Sequence, residues 1–504
     1  MKAIKRYAAI SIAILAFVFV GLICIPAAKE VQAQGLKQLV ITSEIPINPD
    51  IPLVTSRLEV NSNFAWQDFI ALNWPADCQG NPLVDKKIGE APDAPRVWEF
   101  YRTPGEVFLP KGKNPNTIQF TKPLTCQADN KHELKLLRIT ESGRLVTKDE
   151  FRKAEIIASR PLLDDKSELT VPIETIFPLN EDPVIDQQGN YVINEIHINP
   201  VEFNQIVKNK WYDASKLEGF NDEQNKWFQL ACSKDEEAFT DAVCPDDEQA
   251  GAIEIKGAWR VFNDSTSNTE KSRYYTTKQQ LLIPGRSDEC DAGKAVCSDT
   301  GEEFSQVVEL GLIGLHIVHK TSRQGWIWST FEQIDNVPDG NPEQGRRYTL
   351  FNPDCSGTNC DTNTFLAKAP FLWRQQTPHA VTKVGGKIET QIPSQIVRET
   401  KIIESSADWQ KELRKISDSS VWQYYKLIGT EWLGNPQTPY NENIRQLLPQ
   451  KPVLANVALE AYHQGVSCIN CHSGASLPNK AHADFSFLMN KAHSSNLSVR
   501  QEAE

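Results

Sequence analysis

The chain has 504 residues, with 53 Lys and Arg against 65 Asp and Glu, for a net charge of −12. No basic cluster interrupts that balance, which argues against nucleic acid or anionic lipid as a partner. An acidic surface of this kind keeps a protein soluble and steers a basic partner protein toward it.

Lys2, Lys5 and Arg6 open the chain, Ala8 to Ala28 is almost wholly apolar, and Val31-Gln32-Ala33 supplies small residues before Gln34. Residues 1–33 therefore read as an export signal. The apolar run is also long enough to cross a bilayer, so an uncleaved anchor, a membrane tether through this segment only, stays open. Either way the remainder is expected outside the cytoplasm, in the periplasm, soluble or N-terminally anchored. Nothing later is apolar enough to span a membrane again.

In chain order, Phe64 to Trp74 and Val97 to Tyr101 have the apolar spacing of helices packed by one face. From about residue 135 the texture turns toward strands. Val184 to Asp186, the turn Gln187-Gln188-Gly189-Asn190, and Tyr191 to Ile198 predict a hairpin. Val201 to Trp211 predicts a short helix. Ala252 to Phe262, Arg273 to Ile283, Val307 to Lys320 and Gly325 to Ile334 predict strands, separated by Asp/Gly/Ser-rich loops. Lys401 to Ile416 has a helical pattern around Trp409 and Leu413, and Trp422 to Trp432 alternates like a strand. Pro436, Pro439, Pro449 and Pro452 then punctuate a boundary, and Val453 to Tyr462 predicts a helix.

The expected fold class is α+β: a β-rich disulfide-containing domain with flanking helices over residues 34–440, then a short all-α segment over 441–504. Eight cysteines lie between Cys78 and Cys360, as an oxidising compartment allows. The simplest pairing is sequential (78–126, 232–244, 290–297, 355–360), although connectivity is not fixed by spacing.

Gly465-Val466-Ser467-Cys468-Ile469-Asn470-Cys471-His472 holds the chain's one Cys-x-x-Cys, followed at once by histidine. Two thiols three residues apart lie on one turn of backbone and can add to the two vinyl groups of one haem. The adjacent histidine then offers a neutral imidazole to the iron. A zinc knuckle would need a second ligand pair nearby, and a redox dithiol is the other reading of the spacing.

At these residues the chain resembles the c-type cytochromes, with Cys468 and Cys471 as thioether anchors and His472 as proximal ligand. The resemblance implies one covalent haem c per chain, attached on the outer side of the membrane. A cytochrome c-like segment of this size is short for a free-standing domain, so part of its pocket is expected from the larger domain.

The sixth iron ligand decides the chemistry. Met489, in Asp484-Phe485-Ser486-Phe487-Leu488-Met489, is the one methionine besides Met1, and a thioether there gives a six-coordinate carrier. A core methionine is the competing reading. His482, His493 and His463 are the nearby histidine candidates, and an open position is the third case.

In the large domain, Gly314-Leu315-His316-Ile317-Val318-His319-Lys320 and Trp326-Ile327-Trp328-Ser329-Thr330-Phe331-Glu332 form one more pattern. If these strands pair, one face gathers His316, Trp326, Trp328 and Glu332. That set suits redox work near a haem edge, or simply packs a sheet. The texture resembles large single-haem proteins of the cytochrome c family, over most of the chain, and brings no known substrate.

Nucleophile elbows, His-Glu-x-x-His and phosphate-loop motifs are absent from the sequence, so catalytic residues are not assignable. The functional expectation is electron transfer through a covalent haem, with a redox partner protein that is basic if the acidic surface steers it. Alternatives are a haem-dependent oxidoreductase, peroxidase- or oxygenase-like, with a substrate cavity in the β-rich domain, and a redox sensor or binding module.

Overall fold

A computed structural model describes residues 39, 41–49, 57–118, 120, 122–126, 137–139, 145–147, 182–232, 250–286, 299–322, 324–369, 371–374, 376–402, 406–432, 454–465 and 467–493. The N-terminal apolar run and the boundary near residue 440 lie outside these residues. No described helix is long and apolar enough to cross a membrane.

The main feature is a six-stranded antiparallel sheet built from β1 (Ile193–Ile198), β2 (Ile253–Val261), β3 (Thr276–Arg286), β4 (Asp299–Thr321), β5 (Gly325–Gln333) and β6 (Tyr425–Trp432). Its order is β6-β5-β4-β2-β1, and β3 pairs with the first half of the long β4. All the strands predicted from sequence in this region are present. The hairpin at residues 184–198 is present too: Asp186 N donates to the Asn190 carbonyl at 2.8 Å and Val192 N to Val184 at 2.9 Å. Gly189 turns it with φ +78°, and a Cβ there would meet Pro378 Cβ at 2.6 Å.

Successive side chains alternate between faces, so register decides what each face holds. His316 pairs with Lys256 on β2 and Thr330 on β5, while Val318 pairs with Glu254 and Trp328. One face therefore carries Glu254, Lys256, His316, Val318, Lys320, Trp326, Trp328, Thr330 and Glu332. The other carries Ile255, Ile317, His319, Ser329 and Phe331, and it is covered by α1 (Arg57–Leu72). Phe69 stacks on Phe331 with ring centroids 4.3 Å apart, and Trp66 meets the same ring edge-on at 5.1 Å. Asp68 of α1 accepts from His319 Nδ1 at 2.9 Å, both side chains being buried.

α2 (Pro200–Asn209) begins where Asn199 accepts from Glu202 N at 3.0 Å and Pro200 fills the first turn. It packs Phe203 and Ile206 into the apolar cluster that includes Val318, Trp326 and Trp328. α3 (Ala407–Ile416) buries Trp409 and Leu413, the two residues that carried its pattern in the sequence. The segment expected as a helix over Val97 to Tyr101 is a 3-10 turn over Val97–Phe100.

The expected helix at Val453–Tyr462 is corrected to a chain of turns among its described residues. Side chains compete for its backbone. Glu332 Oε1 accepts from Val457 N at 2.9 Å, Glu460 Oε2 from Asn456 N at 2.8 Å, and Asn456 Oδ1 from Ala458 N at 2.9 Å. Asn456 also donates to Thr330 Oγ1 and to the Phe331 carbonyl, which pins this stretch to the sheet. Past it, the described residues of the expected all-α segment contain one five-residue helix and one 3-10 turn. The described residues within Thr42–Glu504 belong to one compact unit.

Disulfides join Cys78 to Cys126 and Cys355 to Cys360, as sequential pairing expects. Cys232 is disulfide-bonded. Cys244, Cys290 and Cys297 lie outside the described residues.

Candidate functional site

The Cys-x-x-Cys-His residues form α4 (Cys468–His472), a helix of little more than one turn. Ser467 caps it, its hydroxyl accepting from Asn470 N at 3.2 Å. The helix is fixed to the sheet edge by Ile469, which is buried and donates its N–H to Glu431 Oε2 of β6 at 3.0 Å. Cys468 is half-buried against the apolar cluster and Cys471 is exposed.

His472 follows on the same turn. A carbonyl can only accept, so the 2.7 Å contact between His472 Nδ1 and the Phe485 oxygen places the proton on Nδ1. Nε2 is left with its lone pair. Burial pushes the imidazole pKa down to about 4; His316 and Lys256 push the same way, while the Phe485 carbonyl and Glu460 oppose them. His472 is therefore neutral at physiological pH, the form that ligates a metal.

The fold accepts strain to put that carbonyl there. Asp484 and Phe485 are consecutive left-handed residues, with φ +50° and +67°. Left-handed backbone costs a non-glycine residue roughly 1–2 kcal/mol, and for a bulky phenylalanine it is a true outlier. Three contacts hold the bend. Asp484 accepts from Lys320 Nζ of β4 and, at 2.8 Å, from Leu230 N. The Phe485 ring meets Trp328 edge-on at 5.7 Å.

Aromatic rings surround His472, with Trp328 at 6.0 Å and Phe487 at 5.2 Å between centroids. Among the described residues, Phe487 is one of few large apolar side chains left exposed, at 39%. Met489 is fully buried in the cluster with Trp328, Phe485, Leu488 and Ile469.

Strands β4 and β5 do pair, and His316, Trp326, Trp328 and Glu332 share one face, the face against which α4 packs. Their roles diverge. Trp326 and Trp328 line the cluster, 6.3 Å apart. Glu332 is committed to structure, bound bidentately by Arg398 and capping Val457 N. His316 sits beside Glu460, Nε2 to Oε2 at 3.4 Å. Glu460 is pushed up by burial but held lower on balance by His316 and Lys256. The other histidine candidates stand elsewhere. His463 is exposed, the His482 backbone N–H donates to Asp222, and the His493 carbonyl accepts from Ala214 N.

No family model, curated protein or solved structure matches this chain. The site therefore rests on its own geometry.

A second cluster under the same segment was not foreseen. Glu202 of α2, Glu254 of β2, Asp484 and Lys320 are all buried together, three carboxylates against one ammonium. Both Glu202 oxygens lack a hydrogen-bond partner. Burial, then the charges of Glu254 and Asp484, raise the Glu202 pKa well above the carboxylate range. Burial lifts Glu254 to about 7, with the Ser486 hydroxyl opposing. No short sequence signal joins residues from four segments so far apart.

Proposed function

We propose that this chain is an exported monohaem c-type cytochrome that carries electrons. One haem c is thioether-linked to Cys468 and Cys471, with His472 as the proximal iron ligand. The observation that carries the reading is the Nδ1 bond of His472 to the Phe485 carbonyl, reached through two strained residues. A packing histidine gives no reason for such strain, whereas a ligand whose Nε2 must be aimed does.

The residues present fit the group. Both thiols ride on one turn with the imidazole beside them, the imidazole is neutral, and Trp328, Phe485 and Phe487 offer aromatic walls. When bound, the haem supplies a one-electron iron couple. The chain's own residues do the rest. Phe485 fixes the His472 tautomer and raises its basicity, Ile469 and Glu431 lock the helix to the sheet, and the aromatic cluster keeps water from the imidazole. The β-rich body is thus one wall of the haem site, and its acidic surface suits a redox partner with a basic face. Export follows the N-terminal charge and apolar pattern, with residues 1–33 as signal or tether.

The test is expression of the full chain in a host that attaches haem outside the cytoplasm. Denaturing electrophoresis with haem staining and intact mass should show one covalent haem in the exported protein. The double variant Cys468→Ser, Cys471→Ser should lose it. Covalent haem that survives both substitutions, or a wild type exported and folded without haem, overturns the reading.

A further inference from the structure

We infer that His316, on strand β4 of the β-rich body, is the second axial ligand of the iron, oriented by Glu460. The inference rests on the haem reading above and extends it to the face opposite His472.

Met489 is on the wrong side. Phe485 binds His472 at Nδ1, the edge of the ring that points away from the iron. Met489 follows only four residues later, within the 3-10 turn Phe487–Lys491. At about 2 Å of rise per residue, that stretch cannot pass around the rim of a porphyrin to its other face. Met489 is also fully enclosed by Trp328, Phe485 and Leu488, where it fills the core.

Among the described histidines the fold leaves one on the sheet face that carries Trp328, the ring beside His472. His319 is locked to Asp68 on the opposite sheet face. His197 bonds the Tyr101 carbonyl at 3.1 Å and Glu195 at 3.1 Å. His379 bonds the Arg374 carbonyl and stacks on Trp373, 4.5 Å away. His463, His482 and His493 sit on the segments already described. His316 shares the face of Trp328, whose ring centroid lies 6.0 Å from that of His472.

His316 also carries what a ligating histidine needs behind it. Glu460 lies 3.4 Å from one ring nitrogen, and Asn456 N and Lys256 hold that carboxylate in place. A carboxylate behind an imidazole fixes its orientation and strengthens its donor nitrogen. A half-buried histidine paired this way through Nε2 keeps Nδ1 as the nitrogen it offers an iron.

The experiment uses the full chain with its haem covalently attached, read by absorption and electron paramagnetic resonance. The wild type should be six-coordinate and low-spin in both oxidation states, and its reduced form should not take up carbon monoxide on mixing. His316→Ala should turn high-spin and bind carbon monoxide at once, with covalent haem and far-ultraviolet circular dichroism unchanged. His316→Met should stay six-coordinate at a raised reduction potential. Glu460→Gln should weaken the bond, so that exogenous imidazole or cyanide binds about 10-fold more readily. Met489→Ala should leave every band in place. A His316→Ala spectrum identical to wild type, or an open sixth position in the wild type, overturns the assignment while the covalent haem stands. Absence of covalent haem from the wild type overturns the parent reading instead.

Discussion

Glu254→Gln should stabilise the protein at alkaline pH and do little at acid pH. Glu254 is buried beside Glu202 and Asp484, and burial lifts its pKa from 4.5 to about 7. A pKa unit corresponds to about 1.4 kcal/mol, so this shift is worth about 3 kcal/mol. The folded state holds the proton more tightly than the unfolded chain. The stability from that proton is complete below pH 4.5 and is lost as pH rises through about 7. Above that range the fold carries a buried carboxylate charge. Glutamine keeps an oxygen for the Ser486 hydroxyl, and its amide can donate to the neighbouring carboxylates, so little else changes. Urea unfolding followed by far-ultraviolet circular dichroism at pH 5 and pH 8.5 checks this. The variant should gain about 3 kcal/mol on the wild type between the two conditions, with an unchanged denaturant slope. A wild-type-to-variant difference that is equal at both pH values refutes the buried-charge argument.

Lys320 is the one cation in that cluster, and Lys320→Met should cost about 3–5 kcal/mol at neutral pH, since it leaves Asp484 buried and uncompensated; denaturant midpoints read it. Asp68→Ala removes the partner of buried His319 and should cost about 1–3 kcal/mol by the same measurement. Opening Cys78–Cys126, which spans 48 residues, should cost about 4 kcal/mol by chain entropy, against about 2 kcal/mol for Cys355–Cys360, which spans 5. Paired serine variants compared by unfolding test that order. Asn456→Ala breaks bonds to Thr330, Phe331 and Ala458 at once and should cost about 2–4 kcal/mol.

The sheet was legible because its signals are local. Alternating branched and aromatic residues marked β1 to β6, and Gln187 to Asn190 marked a turn. The pairing of β4 with β5 was readable from the short link between them, and with it the shared face of His316, Trp326 and Trp328. What lay beyond reach depends on register between distant strands. Lys256 stands next to His316 only because β2 pairs with β4 in one alignment, which shifts by a bulge at Ala258/Trp259. The turns at residues 454–465 were read as a helix because their apolar spacing is helical. Glu332, more than a hundred residues earlier, takes the Val457 N–H instead. Glu332 likewise looked like a candidate for redox work until Arg398 was seen to hold it.

The two faces of the sheet make different demands on the chain, and the difference bears on function. The face under α1 sets apolar residues beside Ser329 and the Asp68–His319 pair, which suffices to seat a helix. The face under α4 buries Glu254, Lys256 and Lys320 and half-buries His316, at alternating positions of two adjacent strands. Burying charged groups is expensive, and hydrophobic replacements often stabilise a fold. A sheet that only needed covering could have used valine at those positions. Their arrangement is ordered instead. Lys320 holds Asp484 and so the strained bend behind His472, while Lys256 and Glu460 flank His316. On the proposed reading, one pair serves each side of the haem: Lys320 with Asp484 aims the proximal histidine, and Glu460 with Lys256 aims the distal one. The polar positions of this face are then the cost of gripping an iron centre from both sides with two parts of one chain.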